Sequence, residues 1–231
     1  MMAGRERMRV AQAWIEPLAD DPEAISALAV ARERLPAGRA LEGLRRMRIF
    51  ELSGALPERA SLGELLHRSI QFYNPAKERC TLRLDPLEAA PLAADEIGVL
   101  VLERGGERRA AAERWWRHET GESAEIREGI AWVMRLGNRS QAERAAEDLT
   151  ILRGREHGLL CNPHWQQARI AALEIPLPWI AGEEPARGRG RSRSATPDRP
   201  ARSRSAAQMK GRTDSRRRTP AKKRSARRRQ A

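Results

Sequence analysis

Residues 123–136 have the sequence SAEIREGIAWVMRL, and the fold prediction depends most on how this stretch is interpreted. Its apolar residues recur at helical spacing, which predicts a helix with one buried side. The residues on that side are Ile126, Ile130, Val133 and Met134. The neighbouring stretches also favour helix, since residues 107–118 have a helical pattern and Ser140-Gln141-Ala142-Glu143 has capping-box spacing.

The first half of the chain contains further helix signals. Asp20 and Asp21 before Pro22 make a cap and first-turn signal, which predicts a helix that ends at Pro36. A second short helix is predicted after it, and a third follows the capping-box sequence at residues 61–64. The second helix is predicted to have a buried edge of Leu41, Leu44 and Met47, and the third to end at Asn74-Pro75. Asn162-Pro163 predicts one more helix start.

Two short segments have strand character. Cys80, Leu82 and Leu84 alternate with polar residues, and residues 97–102 form a short apolar run. We expect these segments to pair in a small sheet, and residues 174–180 to form an extended closing segment. No internal repeat is evident. The predicted fold class is mainly α, or α+β with a minor two-strand element, in one globular domain at residues 1–184.

Residues 185–231 form a tail that differs sharply from the rest of the chain. They contain eighteen Lys or Arg and two acids, Asp198 and Asp214, which gives a net charge of +16. Because the whole chain has 44 Lys and Arg and 31 Asp and Glu, the first 184 residues have a net charge of −3. The tail has no Leu, Ile, Val or aromatic residue, so it is predicted to be disordered when free.

A nucleic acid is the partner that this tail predicts. Each Arg or Lys that neutralises a phosphate releases a condensed counterion, which favours binding through entropy. The tail has no aromatic residue to stack on bases, so we expect it to bind DNA or RNA without sequence preference. The predicted phosphate-binding residues are Arg187, Arg189, Arg191, Arg193, Arg202, Arg204, Arg212, Arg216, Arg217, Arg218, Lys222, Lys223, Arg224, Arg227, Arg228 and Arg229.

The tail also carries targeting and regulatory signals. Three basic clusters, at residues 216–218, 222–224 and 227–229, are of the kind that nuclear import receptors bind, which predicts location in the nucleus or nucleolus. Arg-Ser and Thr-Pro steps are typical of kinase sites, and phosphorylation there would cancel part of the positive charge. The predicted phosphorylation sites are Ser192, Ser194, Ser203, Ser205, Thr196 and Thr219.

Two segments of the tail resemble the arginine-rich C-terminal domain of hepadnavirus core proteins: RGRGRSRS at residues 187–194 and RRRTP at residues 216–220. In that family a helical assembly domain precedes a phosphorylatable Arg/Ser tail that packages nucleic acid. The resemblance covers residues 187–220 and implies a viral protein that binds nucleic acid and acts in the host nucleus. The body does not match the motifs of that family.

Cysteine and histidine residues in the body have the composition of a metal site. His157, Cys161 and His164 have H-x3-C-x2-H spacing, and Cys80 as a fourth ligand would complete a tetrahedral zinc site. Cys161 beside either histidine also has the composition of a nucleophilic dyad. The alternative is a buried cysteine near solvated histidines. We predict no metal, no catalytic residue and no cofactor.

Two further motifs allow more than one interpretation. Arg104-Gly105-Gly106-Glu107 follows an apolar strand like a phosphate loop, yet it lacks the known glycine and lysine patterns, so a plain turn is favoured. Trp115-Trp116 is flanked by Arg114, Arg117 and His118. This pair predicts base stacking, a contact with a partner or second copy, or core packing, because adjacent helix residues point about 100° apart.

The leading prediction is a non-enzymatic nucleic-acid-binding protein whose helical head displays the tail. No apolar run approaches the ~20 residues needed to span a bilayer, so we expect no membrane partner. Two cysteines are too few for a disulfide framework, which favours an intracellular protein. Two alternatives stay open: an interaction module whose head binds a protein partner or a second copy while the tail serves localisation, and an enzyme acting on nucleic acid.

Overall fold

The computed structural model describes residues 9–137, 141–172 and 174–182. Within these residues lie six strands, four α-helices and one 3-10 helix at Pro36–Ala40. The strands are β1 (Arg9–Pro17), β2 (Leu41–Gly54), β3 (Glu78–Arg83), β4 (Glu96–Glu103), β5 (Ala124–Leu136) and β6 (Gln166–Ala171). The helices are α1 (Pro22–Arg34), α2 (Arg59–His67), α3 (Ala110–Thr120) and α4 (Ala142–Thr150).

All six strands form one sheet in the order β3-β1-β2-β5-β4-β6, and each neighbouring pair is antiparallel. The two long strands, β2 and β5, pair along almost their whole length at the centre. The fold is therefore α+β with a dominant sheet, and the prediction of a mainly α fold with two minor strands was wrong.

The error begins at residues 123–136, which form strand β5 and not a helix. Ile126, Trp132 and Met134 lie on one face of the sheet, while Ala131 and Val133 lie on the other. A central strand that is covered on both faces loses the apolar-polar alternation by which strands are recognised. Its apolar residues then include a subset at helical spacing, and this subset was mistaken for one side of a helix.

Other predicted elements had mixed outcomes. Asp21 caps α1 by accepting the backbone N–H of Glu23, and the predicted strands at residues 80–84 and 97–102 correspond to β3 and β4. However, β3 and β4 do not pair, because β1, β2 and β5 lie between them. The predicted helix at residues 41–47 is the start of β2, and the predicted helix after Asn162-Pro163 is a turn followed by β6.

The predicted cap of α2 was wrong, whereas the predicted cap of α4 falls on a residue outside the described ones. Helix α2 begins at Arg59 after Glu58, so Ser61 lies inside the helix and does not cap it. Helix α4 begins at Ala142 after Gln141, with no side-chain cap bond, and Ser140 lies outside the described residues. None of the described helices is long and apolar enough to cross a membrane.

The helices pack on one face of the sheet in two clusters. Helices α2 and α3 cover Phe50, Leu52 and Ile126, whereas α1 and α4 cover Trp132 and Met134. The opposite face has no helix among the described residues and is covered by loop and extended chain. Its cluster contains Trp14, Met47, Ile49, Leu100, Leu102, Ala131, Val133, Ile175, Trp179 and Ile180.

Candidate functional site

The predicted closing segment extends to residue 182 in the structure. Residues 174–182, called the closing segment from here on, lie across the helix-free face and are held there by a buried carboxylate. Glu51 of β2 is 1% exposed. Its oxygens accept the backbone N–H groups of Trp179 at 2.6 Å, Ile180 at 3.0 Å and Ala181 at 2.7 Å. Three converging N–H groups satisfy the carboxylate, which explains how an acid can occupy a central strand with no salt bridge to any of the described residues.

Arg83, at the end of β3, is a second buried anchor and is 4% exposed. Its guanidinium donates to the backbone oxygen of Ile175 at 2.7 Å, and to those of Pro86 and Glu88 at 2.7 and 2.6 Å. Burial lowers the pKa of Arg83, although nearby carboxylates counteract part of that effect. One side chain thus joins the closing segment to the loop that follows β3.

Gln12 of β1 connects these two anchors. Its Nε2 donates to the backbone oxygen of Pro176 at 2.8 Å and to Glu51 at 3.5 Å, while its Oε1 accepts from Arg83 at 3.2 Å. Gln12, Glu51 and Arg83, the anchor network, come from three adjacent strands, since β1 lies between β2 and β3. None of the three was predicted from the sequence, although Gln12 and Glu51 are isolated polar residues within apolar strand patterns.

The end of the closing segment lies beside the edge strand β6. Trp179 stacks on Trp14 with 5.9 Å between ring centroids, and Arg169 of β6 donates to the backbone oxygen of Trp179. A Cβ atom on Gly182 would come within 2.6 Å of the Arg169 guanidinium. The chain therefore reaches residue 182, the last described one, at a fixed position next to β6.

On the helix-covered face, a row of charged residues separates the two helix clusters. Arg48 donates to Glu78 at 3.0 Å and to the backbone oxygen of Phe72 at 2.8 Å, and it lies 3.5 Å from Glu128. Arg109 also binds Glu128. Because carboxylates compensate these cations, the row is an internal ion-pair network and does not form an open anion site.

The cysteine and histidine candidates are not brought together. Cys161 is buried in the cluster under α1 and α4, whereas Cys80 packs against the cluster under α2 and α3. His157 and His164 are exposed. Among the described residues no group of three potential ligands could hold a metal ion. Burial raises the pKa of both thiols, that of Cys80 to about 11, which disfavours the nucleophilic thiolate.

The tryptophan pair belongs mainly to the core. Trp116 is fully buried, and Trp115 is half-buried with its ring edge-to-face to Phe72 at 5.6 Å. Arg114, Arg117 and His118 on the same helix are exposed. This packing supports the structural interpretation of the pair and leaves a basic helix surface without a free aromatic platform.

Gly105 and Gly106, in the motif at residues 104–107, lie in the turn between β4 and α3. Gly105 has a φ of +71°, and the backbone N–H of Gly106 donates to Glu103 at 3.1 Å. A positive φ explains the glycine without any phosphate ligand. This motif is the plain turn that was favoured from the sequence.

The predicted phosphate-binding and phosphorylation residues, Arg187 to Arg229 and the six Ser and Thr sites, lie outside the described residues, as does the proposed domain boundary at residues 184–185. Comparisons with protein-family models, curated proteins and solved structures find no match to this chain.

Proposed function

We propose that this protein is a non-enzymatic nucleic-acid-binding protein in which the tail neutralises phosphates and the body carries the tail. The observation behind this proposal is the segregation of charge, +16 in residues 185–231 against −3 in the rest. A cation density of this kind binds DNA and RNA through counterion release.

The body supports the role of a carrier. The anchor network holds the closing segment in place as far as Ala181, close to the end of the described residues. Many body arginines are compensated by carboxylates, as Arg45 is by Glu16 at 2.7 Å and Glu96 at 2.8 Å. We therefore assign most of the phosphate binding to the tail.

A salt titration tests the proposal. Full-length protein and a 1–184 truncation are titrated with labelled duplex DNA and with single-stranded RNA at several salt concentrations. If about half of the eighteen tail cations contact duplex phosphates, log K falls with log salt at a slope of about −8. We expect the truncation to lose this binding. Retained binding by residues 1–184 would contradict the proposal and direct attention to Arg114 and Arg117.

Two matched tail variants refine the assignment. Replacing residues 216–218 by glutamine removes three cations and, with about half of the tail cations in contact with phosphates, should make the slope less steep by about 1.4. Replacing Ser192, Ser194 and Ser203 by alanine leaves the charge unchanged and should leave the slope unchanged, whereas their phosphorylation should weaken binding. An equal loss in both variants would show that chain composition, and not charge, governs binding.

Location in the nucleus or nucleolus is part of the same proposal. The clusters at residues 216–218, 222–224 and 227–229 would bind import receptors, in the host nucleus if the protein is viral. A fluorescent fusion of the full chain should accumulate in nuclei, and a fusion with all three clusters neutralised should not. Nuclear accumulation of both would contradict this assignment.

A second candidate function is that of an interaction module that assembles with another copy of the chain. Strand β6 is an edge strand whose one charged residue, Arg169, binds Trp179 of the same chain. The opposite edge strand, β3, carries Glu78, Arg79 and Arg83. Charges on edge strands oppose edge-to-edge pairing, so β6 is the edge suited to antiparallel pairing around a two-fold axis.

Sedimentation velocity over a range of concentrations tests this candidate. We expect a dimer that Gln167→Lys on β6 weakens and that Thr81→Lys on β3 leaves intact. A monomer at every concentration would exclude it. Truncation at residue 184 separates the two functions, because assembly through β6 should survive it and tail-dependent nucleic-acid binding should not.

A further inference from the structure

The described fold consists of the same arrangement twice. Within the described residues the chain runs β1-α1-β2-α2-β3 and then β4-α3-β5-α4-β6, with the 3-10 helix inserted only in the first half. The sheet order is β3-β1-β2 from one edge and β6-β4-β5 from the other. The halves meet where β2 and β5 pair antiparallel, which is the arrangement that a two-fold axis through the sheet produces.

A detailed hydrogen-bond pattern repeats in both halves, at Asn74-Pro75 before β3 and at Asn162-Pro163 before β6. The Asn side-chain oxygen accepts the backbone N–H two residues later, from Ala76 at 3.1 Å and from His164 at 3.0 Å. The Asn backbone oxygen accepts the N–H four residues later at 2.8 Å in both turns.

The side chain at that fourth position closes each turn. Glu78 accepts the backbone N–H of Asn74 at 2.7 Å, and Gln166 accepts that of Asn162 at 2.8 Å. Strand register agrees as well, because the first residue of β3 pairs with the last of β1, and the first residue of β6 with the last of β4. Three matched bonds and a matched register distinguish equivalence from a chance likeness of topology.

Each of the two helix clusters contains strands and a helix of one half together with a helix of the other half. The cluster under α2 combines β1, α2 and Phe50 of the first half with Trp116 of α3 from the second. The cluster under α4 combines β4, α4 and Trp132 of the second half with Ala24 and Ala31 of α1 from the first. Each half therefore completes the core of the other, as subunits of obligate dimers do.

We infer that the described residues within 9–83 and 96–171 form two equivalent β-α-β-α-β units, and that the β2·β5 ladder with the exchanged helices is a subunit interface enclosed in one chain. The partner that this surface fits is a second unit of the same kind. Equivalent positions face each other at the two-fold axis, and there Arg48 lies opposite Ile130. Two copies of the first unit would oppose two arginines, so this pair favours one unit of each kind.

Cleavage of the joining segment in the full-length protein tests the inference. A protease site is inserted directly after the exposed Ala89, in the segment that links the units. After cleavage we expect the two fragments to elute together and to unfold at a midpoint that rises with protein concentration, as for any dimer. Separation of the fragments, immediate aggregation or a concentration-independent midpoint would overturn the inference.

A second test uses the uncut chain and the twin turns. Asn74→Ala and Asn162→Ala should each lower the unfolding midpoint by a similar amount, about 2–4 °C, and Asn→Asp at either position should restore most of it by keeping the acceptor oxygen. If one alanine variant has no effect while the other abolishes folding, the turns are not equivalent. Ile130→Arg would place two arginines opposite each other at the axis and should lower the unfolding midpoint more than the control Ile130→Leu.

Discussion

Glu51 and Trp179 are 128 residues apart in the sequence, yet the Glu51 carboxylate accepts the backbone N–H of Trp179 at 2.6 Å. The contact joins the central strand β2 to the closing segment on the helix-free face. It makes a buried charge in the sheet dependent on backbone donors that belong to the other end of the body.

Glu51→Ala should destabilise the fold by about 3 kcal/mol, because it removes the acceptor of three buried N–H groups at once. The closing segment should also become a site of proteolysis. Urea denaturation and limited proteolysis measure the two effects. Glu64→Ala, at an exposed position of α2, is the control and should be within about 0.5 kcal/mol of the parent. Equal stability of the two variants would contradict the anchoring role.

Arg83→Lys should cost about 1–3 kcal/mol although it keeps the positive charge, since one ammonium group cannot reach three acceptors spread over the closing segment and the loop after β3. The backbone oxygens of Ile175, Pro86 and Glu88 would lose a shared donor. Arg79, on the same strand as Arg83, is exposed and forms a salt bridge with Glu16 of β1. Arg79→Lys serves as the comparison and should be nearly neutral. Chemical denaturation of both variants checks this.

Trp116→Ala should be far more damaging than Trp115→Ala, with a cost of about 3–5 kcal/mol, because Trp116 is fully buried and Trp115 is half-buried. Neither substitution should change the salt slope of nucleic-acid binding in variants that remain folded. A selective loss of RNA affinity in Trp115→Ala would show that the helix reads bases after all.

Both cysteine thiols should react slowly in the native protein. Burial raises the pKa of Cys80 to about 11, so about one thiol in a thousand is ionised at pH 8, and burial also raises the pKa of Cys161. A colorimetric thiol reagent should label both rapidly only after denaturation. Rapid labelling of the native protein would mean that one of the thiols is activated.

Stability should fall in acid in part through Glu113. The hydrogen bond from Arg108 is the main cause that holds the pKa of Glu113 below its usual 4.5, and the backbone N–H of Ile126 adds to it. A lowered folded-state pKa means that the stabilisation is complete above the unfolded-state pKa and is lost as the pH falls through the folded-state value.

The difference in stability between the parent and Glu113→Gln should therefore shrink as the pH falls below the unfolded-state pKa of about 4.5. Urea midpoints of both proteins above and below this pH provide the measurement. A difference that stays constant with pH would show that the carboxylate charge of Glu113 contributes nothing.

The sequence permitted some elements to be predicted and concealed others for physical reasons. Helix α1 was predictable because Asp21 and Pro22 are local signals, and β4 because residues 97–102 form an uninterrupted apolar run. Strands β2 and β5 were missed because central strands are buried on both faces and do not alternate. The repeat was missed because the halves share backbone contacts and few residue identities.

The anchor network was equally hidden. Gln12, Glu51 and Arg83 are far apart along the chain. Gln12 and Glu51 are isolated polar residues in apolar patterns, and Arg83 is one of several polar residues in its strand. Their roles follow only from strand order, which places β3, β1 and β2 side by side and brings the closing segment over them. Pairing partners of this kind depend on non-local packing, which no local pattern encodes.

By itself the sequence determined the composition of the tail: its charge, its lack of apolar residues and hence its predicted affinity for polyanions, all of which depend on residue types alone. Only the tertiary structure decided that the body is a six-stranded sheet made of two equivalent units. The reason is that residues 41–54 and 123–136 become strands by pairing with each other, and the free energy of that pairing comes from contacts between distant parts of the chain.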